Sequence, residues 1–238
     1  MSLRGKKVIV IGGSSGIGLA TASAAAEQGA KVLIASRSRE KLERARGEVG
    51  GRVGIFVLDV TREEEVRSFF ERAGAFDHLV TTAAEGTTGP FLDLAWEEVQ
   101  ALFESKFWGQ YWAARHAARQ IREGGSITFF SGVAAKKPLP GFSSFAAVNG
   151  AINALARALA VEIAPVRVNV VSPGIVDTPA YGEMAAAARQ EFFERTAAAL
   201  PVGRIGTPAQ VAEAVLFLMR NSFTTGAVLD VDGGGRLA

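Results

Sequence analysis

The chain has 238 residues, 48% of them hydrophobic and 21% charged, and its 26 basic and 24 acidic side chains leave a net charge of +2. That composition describes a globular protein with room for a sizeable core, and so small a charge surplus makes no nucleic-acid-binding stripe. With no cysteine, disulfides, thiolate catalysis and Cys-ligated metals are excluded, and two separated histidines, His78 and His116, are a poor basis for a metal site.

The charged start, Met1-Ser2-Leu3-Arg4-Gly5-Lys6-Lys7, has no signal-peptide pattern, and no uninterrupted apolar stretch approaches a bilayer span, so a cytoplasmic location is expected. Val8 to Ile11 reads as a β-branched strand ending in Gly12-Gly13, and Gly16 to Gln28 as a helix. Strands at Val32 to Ala35 and Val53 to Leu58 are followed by helices at Arg39 to Glu48 and Glu63 to Arg72. A strand at Leu79 to Thr82 leads into a single long helix from about Glu97 to Arg122, then a strand at Ile127 to Phe130. After a Pro/Gly loop come a helix over Ser143 to Ile163 and a strand over Val166 to Val171. The Ala-rich stretch Met184 to Leu200 is either a helical flap over a site or a plain surface helix. Thr207, Pro208 and Gln210 are placed as N-cap, N1 and capping-box partner of a last helix ending near Met219, and Ala227 to Val231 is the final strand. Nearly continuous apolar strands alternating with helices predict one Rossmann-type α/β domain over residues 1–238, a doubly wound parallel sheet covered by helices on both faces.

Gly12-Gly13-Ser14-Ser15-Gly16-Ile17-Gly18 lies between a strand and a helix, where glycines allow a tight turn and free helix N–H groups face a pyrophosphate. At the end of the second strand, Ser36-Arg37-Ser38 has no carboxylate for ribose hydroxyls. Arg37 is instead suited to a 2′-phosphate, with Ser14 and Ser36 donating hydrogen bonds, which points to NADP(H).

These features resemble the classical short-chain dehydrogenase/reductase family across essentially the whole chain. The glycine loop matches that family's G-x-x-x-G-x-G, and Asp59-Val60 its third-strand D-V, where the aspartate would bond the adenine amino group. Thr81-Thr82-Ala83-Ala84 stands in place of N-N-A-G, which lines the cofactor. Pro173-Gly174-Ile175-Val176-Asp177-Thr178 resembles the P-G-x-x-x-T stretch that holds the nicotinamide carboxamide, and Val231-Asp232-Gly233-Gly234 the C-terminal V-D-G-G. The resemblance implies a homodimer or homotetramer formed through the helices around residues 97–122 and 143–163.

The family's chemistry uses Asn, Ser, Tyr and Lys, and here all four positions differ. Phe145 and Asn149 occupy the Y-x-x-x-K places, Gly132 the serine and Lys106 the asparagine. Phenylalanine has no ionisable hydrogen, and loss of a positioned acid costs about 10²–10⁴ in rate. Lys106 and Asn149 look like exchanged identities, so Lys106 is a candidate for the charge or proton relay and Asn149 for a ribose contact; a solvated helix lysine is the alternative. Glu85 is a further acid–base candidate near the nicotinamide. Tyr181, and less so Tyr111, is a replacement tyrosine unless it merely packs. Three functions remain open: an NADP(H)-dependent oxidoreductase of small carbonyl-type compounds with a rearranged site, a catalytically silent NADP(H)-binding regulator, or a structural subunit of an active homologue.

Overall fold

In the computed structural model, which describes residues 2–50 and 53–238, strands and helices alternate as the apolar runs require. Met1, part of the charged start, lies outside the described residues. The first half contains β1 (Lys7–Ile11), α1 (Gly16–Glu27), β2 (Lys31–Ser36), α2 (Arg39–Val49), β3 (Val53–Val57), α3 (Glu63–Ala73) and β4 (Phe76–Thr81). Then follow α4 (Trp96–Leu102), α5 (Gly109–Ala117), β5 (Ile121–Phe130), α6 (Ser143–Glu162) and β6 (Arg167–Pro173). The chain ends with α7 (Ala186–Ala199), α8 (Pro208–Arg220) and β7 (Val228–Val231).

All seven strands pair in parallel in the order β3-β2-β1-β4-β5-β6-β7. Side chains alternate between the two faces of each strand. Ile9 and Ile11 of β1 therefore join one core cluster, with Phe69, Phe70, Phe76 and Leu79, while Val8 and Val10 join the other, with Ile34, Val80 and Val215. Each such fully buried side chain contributes about 1.5–3 kcal/mol relative to exposure. The sheet is the Rossmann-type doubly wound sheet expected from the sequence. Its order reverses between β1 and β4, and ligands of such sheets lie outside the strand C-termini at that point.

Several boundaries differ from the sequence expectation. Strand β4 begins at Phe76 and β5 at Ile121, each several residues before its apolar run, because their polar residues find partners inside the fold. Asp77 accepts from Lys6 Nζ at 2.9 Å, the Lys7 N–H at 2.8 Å and Arg122 at 2.9 Å, and His78 Nδ1 lies 2.9 Å from Ser126 Oγ. The helix expected over Glu97 to Arg122 runs without a gap from Trp96 to Ala117, with a π-helical turn at Phe103–Trp108 joining α4 to α5, and ends sooner than expected, since Arg122 lies in β5. At the last helix Gln210 Oε1 accepts the Thr207 N–H at 3.1 Å, as the capping pattern predicts. Helix α7 is present, with none of its residues buried. Helix α6 is long and apolar enough to cross a membrane by length and composition. It nevertheless carries Asn149, Asn153 and Arg157, and its Val148, Ile152 and Ala156 belong to the core.

Candidate functional site

The turn after β1 and the end of β2 form one wall of a cleft of about 490 Å³, and the segments after β3 and β4 complete it. Gly12, with φ +84°, leaves β1 in a left-handed conformation that favours glycine. A Cβ there would collide with the Thr82 hydroxyl, and one at Gly18 with the Gly12 carbonyl, so both glycines let turn, helix and β4 meet. Ser15 caps α1 with no side-chain hydrogen bond, and the first turn of α1 has no acidic residue. The positive end of the helix dipole thus opens unneutralised into the cleft.

Ser14, Ser15, Gly16, Ile17 and Gly18 line this end, with Ser36, Arg37 and Ser38 beside them. Ser36 Oγ is buried without a hydrogen-bond partner among the described residues, whereas Ser38 Oγ caps α2 by accepting the Lys41 N–H at 3.2 Å. Asp59 and Val60 line the adjoining wall; Asp59 Oδ1 accepts from the N–H and hydroxyl of Thr61, which leaves Oδ2 for a ligand. Thr82, Ala83 and Ala84 line the β4 side, and the Thr82 hydroxyl donates to the Ile11 carbonyl at 3.1 Å. Thr178 reaches the cleft from the segment after β6. Pro173, Gly174 and Val176 do not join it: the Gly174 N–H donates to the Val231 carbonyl at 3.1 Å, and Val176 is buried in the core. The glycine cradle, the uncapped helix end and the orphaned Ser36 hydroxyl fit a phosphate-bearing dinucleotide.

Glu85 departs from its expected role. Its carboxylate meets Arg37 Nη1 at 2.6 Å, so it faces the strand-β2 wall of the cleft. Its backbone is held by Ser105, whose Oγ accepts the Glu85 N–H at 3.1 Å.

At the opposite end, Lys106 is no solvated helix lysine. Only 8% exposed, it sits in the π-helical turn, donates to the Ser131 carbonyl at 3.2 Å and lies 5.3 Å from the centre of the Phe145 ring. Burial lowers its pKa from 10.5 to about 8. Asn149 is buried on α6, with Nδ2 3.5 Å from the Gly132 carbonyl and Oδ1 without a partner among the described residues. A Cβ on Gly132 would stand 3.0 Å from that Nδ2. Lys106, Phe145, Asn149 and Gly132 are therefore brought together, behind the cleft wall rather than on it. A Cβ at Gly86 would stand 3.2 Å from Phe145 Cζ, so a glycine lets the segment after Glu85 pass close to the end of the Phe145 ring.

The tyrosines lie elsewhere. Tyr181 packs its ring against Phe192 and Phe193, and burial raises its pKa; Tyr111 packs against Phe107, Trp108 and Trp112. Sequence reasoning missed Gln110 and Ser105. Gln110 Oε1 accepts from the Thr81 hydroxyl and the Phe130 N–H, while Nε2 donates to the carbonyls of Lys106 and Phe130. Its only signal in the sequence is a polar residue one helical turn after Lys106.

The switch-point cleft and glycine turn define a dinucleotide-binding α/β protein. The family model described as enoyl-(acyl carrier protein) reductase matches residues 11–235. The chain is 35% identical to the short-chain dehydrogenase/reductase ATR9 of Stachybotrys chlorohalonatus over 99% of both chains. It is 33% identical to a 3-oxoacyl-[acyl-carrier-protein] reductase of Mus musculus over 98% of both. A crystal structure of a small-chain dehydrogenase in complex with NADPH is 36% identical, with TM-score 0.84 over 98% of this chain and 100% of that one. The chain belongs to the short-chain dehydrogenase/reductase family.

Proposed function

We propose that this protein is an NADP(H)-dependent oxidoreductase acting on a small carbonyl-type substrate, with Lys106 and Asn149 in the places of the family's asparagine and lysine. The observation that carries this reading is the buried Lys106 ammonium on the Phe145 ring, beside the position where the family keeps its acid. The relative crystallised with NADPH supports the cofactor, as does Arg37 at the end of β2. Gly12, Ser14, Ser15, Gly16, Ile17 and Gly18 would hold the pyrophosphate, Ser36 and Arg37 the 2′-phosphate, and Asp59 the adenine. Bound NADPH supplies the hydride. Lys106 holds a proton at Nζ, available near neutral pH because its pKa is about 8, and Asn149, next to Gly132, keeps a buried Oδ1 with no partner among the described residues. The cytoplasmic setting and a homodimer or homotetramer formed through the helices around residues 97–122 and 143–163 belong to the same reading; Trp108, 37% exposed in an aromatic row within the first of these, suits such an interface.

The test measures NADPH and NADH affinity, then follows nicotinamide absorbance with a panel of carbonyl compounds. Wild type is compared with Lys106→Ala, Asn149→Ala and the combined Lys106→Asn, Gly132→Ser, Phe145→Tyr, Asn149→Lys variant. Turnover by wild type that is lost in Lys106→Ala supports the reading. Tight NADPH binding with turnover only in the combined variant would instead establish a silent NADP(H)-binding protein, the reading favoured by the position of Lys106 and Asn149 behind the cleft wall. Preference for NADH would overturn the role of Arg37.

A further inference from the structure

Arg37 and Glu85 are 48 residues apart in sequence, yet their side chains join at 2.6 Å. Arg37 follows β2 and Glu85 follows β4, the two neighbours of β1, and both residues line the cleft. The pair therefore bridges the two walls at the nucleotide end. The backbone that carries the carboxylate is anchored, because the Ser105 hydroxyl lies 3.1 Å from the Glu85 nitrogen and 3.0 Å from its carbonyl oxygen. The side chains are 62% and 60% exposed, so water screens the bridge and leaves it easily opened.

We propose that Glu85 determines cofactor specificity by occupying Arg37 as an internal stand-in for the 2′-phosphate. A 2′-phosphorylated adenosine must displace the Glu85 carboxylate from the guanidinium, whereas an unphosphorylated ribose leaves the bridge closed. A phosphate dianion outcompetes a single carboxylate for a guanidinium, but the exchange subtracts the energy of the bridge from that of the phosphate contact. The carboxylate also remains near the incoming phosphate as a like charge. Glu85 thereby narrows the discrimination that Arg37 alone would give. This inference rests on Arg37 as the phosphate ligand.

Calorimetric titration with adenosine 2′,5′-bisphosphate and with 5′-AMP tests it without turnover, on wild type, Glu85→Gln, Arg37→Ala and the double variant. Glu85→Gln is expected to tighten the bisphosphate by about two- to five-fold and to change 5′-AMP affinity by less than about 1.5-fold. The gain should vanish in the Arg37→Ala background and shrink at high salt. Unchanged or weaker bisphosphate binding by Glu85→Gln, with Arg37→Ala still lowering it, overturns the exchange and leaves the phosphate clamp standing. If Arg37→Ala leaves the preference for bisphosphate over 5′-AMP intact, the clamp and the exchange both fall.

Discussion

Lys106 brings an ammonium into a place that supplies one carbonyl acceptor and an aromatic face. In the unfolded chain it titrates near 10.5 and in the folded protein near 8. Below about pH 8 it is charged in both states and folding carries the whole burial penalty; between 8 and 10.5 only the unfolded chain keeps the proton, so stability rises with pH. The penalty at neutral pH is about 3 kcal/mol from the size of the shift. Lys106→Met is therefore expected to be more stable than wild type in urea at about pH 7, by up to about 3 kcal/mol, with the advantage shrinking above pH 8. A residue that costs stability and whose removal abolishes turnover would be kept for function. Gly132 is coupled to Asn149 in the same way: with a Cβ 3.0 Å from Nδ2, Gly132→Ser alone should cost about 1–2 kcal/mol, relieved in an Asn149→Ala background. Thermal denaturation of the two single variants and the double variant measures that coupling.

What buries Lys106 is an element that periodicity does not reveal. In the π-helical turn the Gly109 N–H reaches back to the Glu104 carbonyl, and the Lys106 carbonyl is taken by the Gln110 side chain at 2.8 Å. Ser105 Oγ also lies 2.9 Å from the Ala101 carbonyl, a local bond of the kind that bends helices. Gln110 ties this turn to β4 and β5, so Gln110→Leu should strand several buried polar groups and cost about 3 kcal/mol. Melting temperature reads the loss, and Trp108 fluorescence, isolated in a Trp96→Phe, Trp112→Phe background, reads the displacement of the turn. The sequence shows Glu97 to Arg122 as one amphipathic stretch because a single π turn adds only about one residue to a long α-helical run; the partners of Gln110 and Ser105 mark where it lies. Strand starts were hidden for a related reason. Asp77 and His78 break the apolar run of β4, and their acceptability depends on Lys6, Lys7, Arg122 and Ser126, which local patterning does not bring together. That the glycine turn, Arg37 and Asp59 line the cleft is legible because each stands in a short local motif at a strand end. The Glu85 bridge and the depth of Lys106 were not, since each is made by contacts across the fold.

At the scale of the whole molecule, two buried bases set stability in separate pH windows. His78, on the central strand β4 against Ser126, has its pKa lowered to about 4, chiefly by burial and further by Arg167, with Asp77 opposing. Its unfolded value is near 6.5, so between 6.5 and 4 the unfolded chain binds a proton that the folded protein refuses. This contribution is complete above pH 6.5, falls as pH drops toward 4, and amounts to about 3 kcal/mol. Stability should therefore climb from acid to near pH 6.5 and again above pH 8 as folded Lys106 loses its proton. Tyr181, whose pKa burial raises from 10, acts in the opposite direction above pH 10, so the upper climb is best read between about pH 8 and 9.5. Urea denaturation across pH separates the two. His78→Gln is expected to lessen the climb between pH 4 and 6.5 and leave the alkaline limb intact, and Lys106→Met to lessen the climb above pH 8, with Asp77 and Lys7, whose pKa values are also lowered, keeping the remainder of the acid and alkaline limbs. If either substitution flattened both limbs, the two sites would share one electrostatic network. Their windows are separate because imidazole and ammonium start from 6.5 and 10.5 and burial lowers each, and the two sites are distinct because His78 faces Ser126 within the sheet whereas Lys106 faces the Ser131 carbonyl and the Phe145 ring beyond the end of β5.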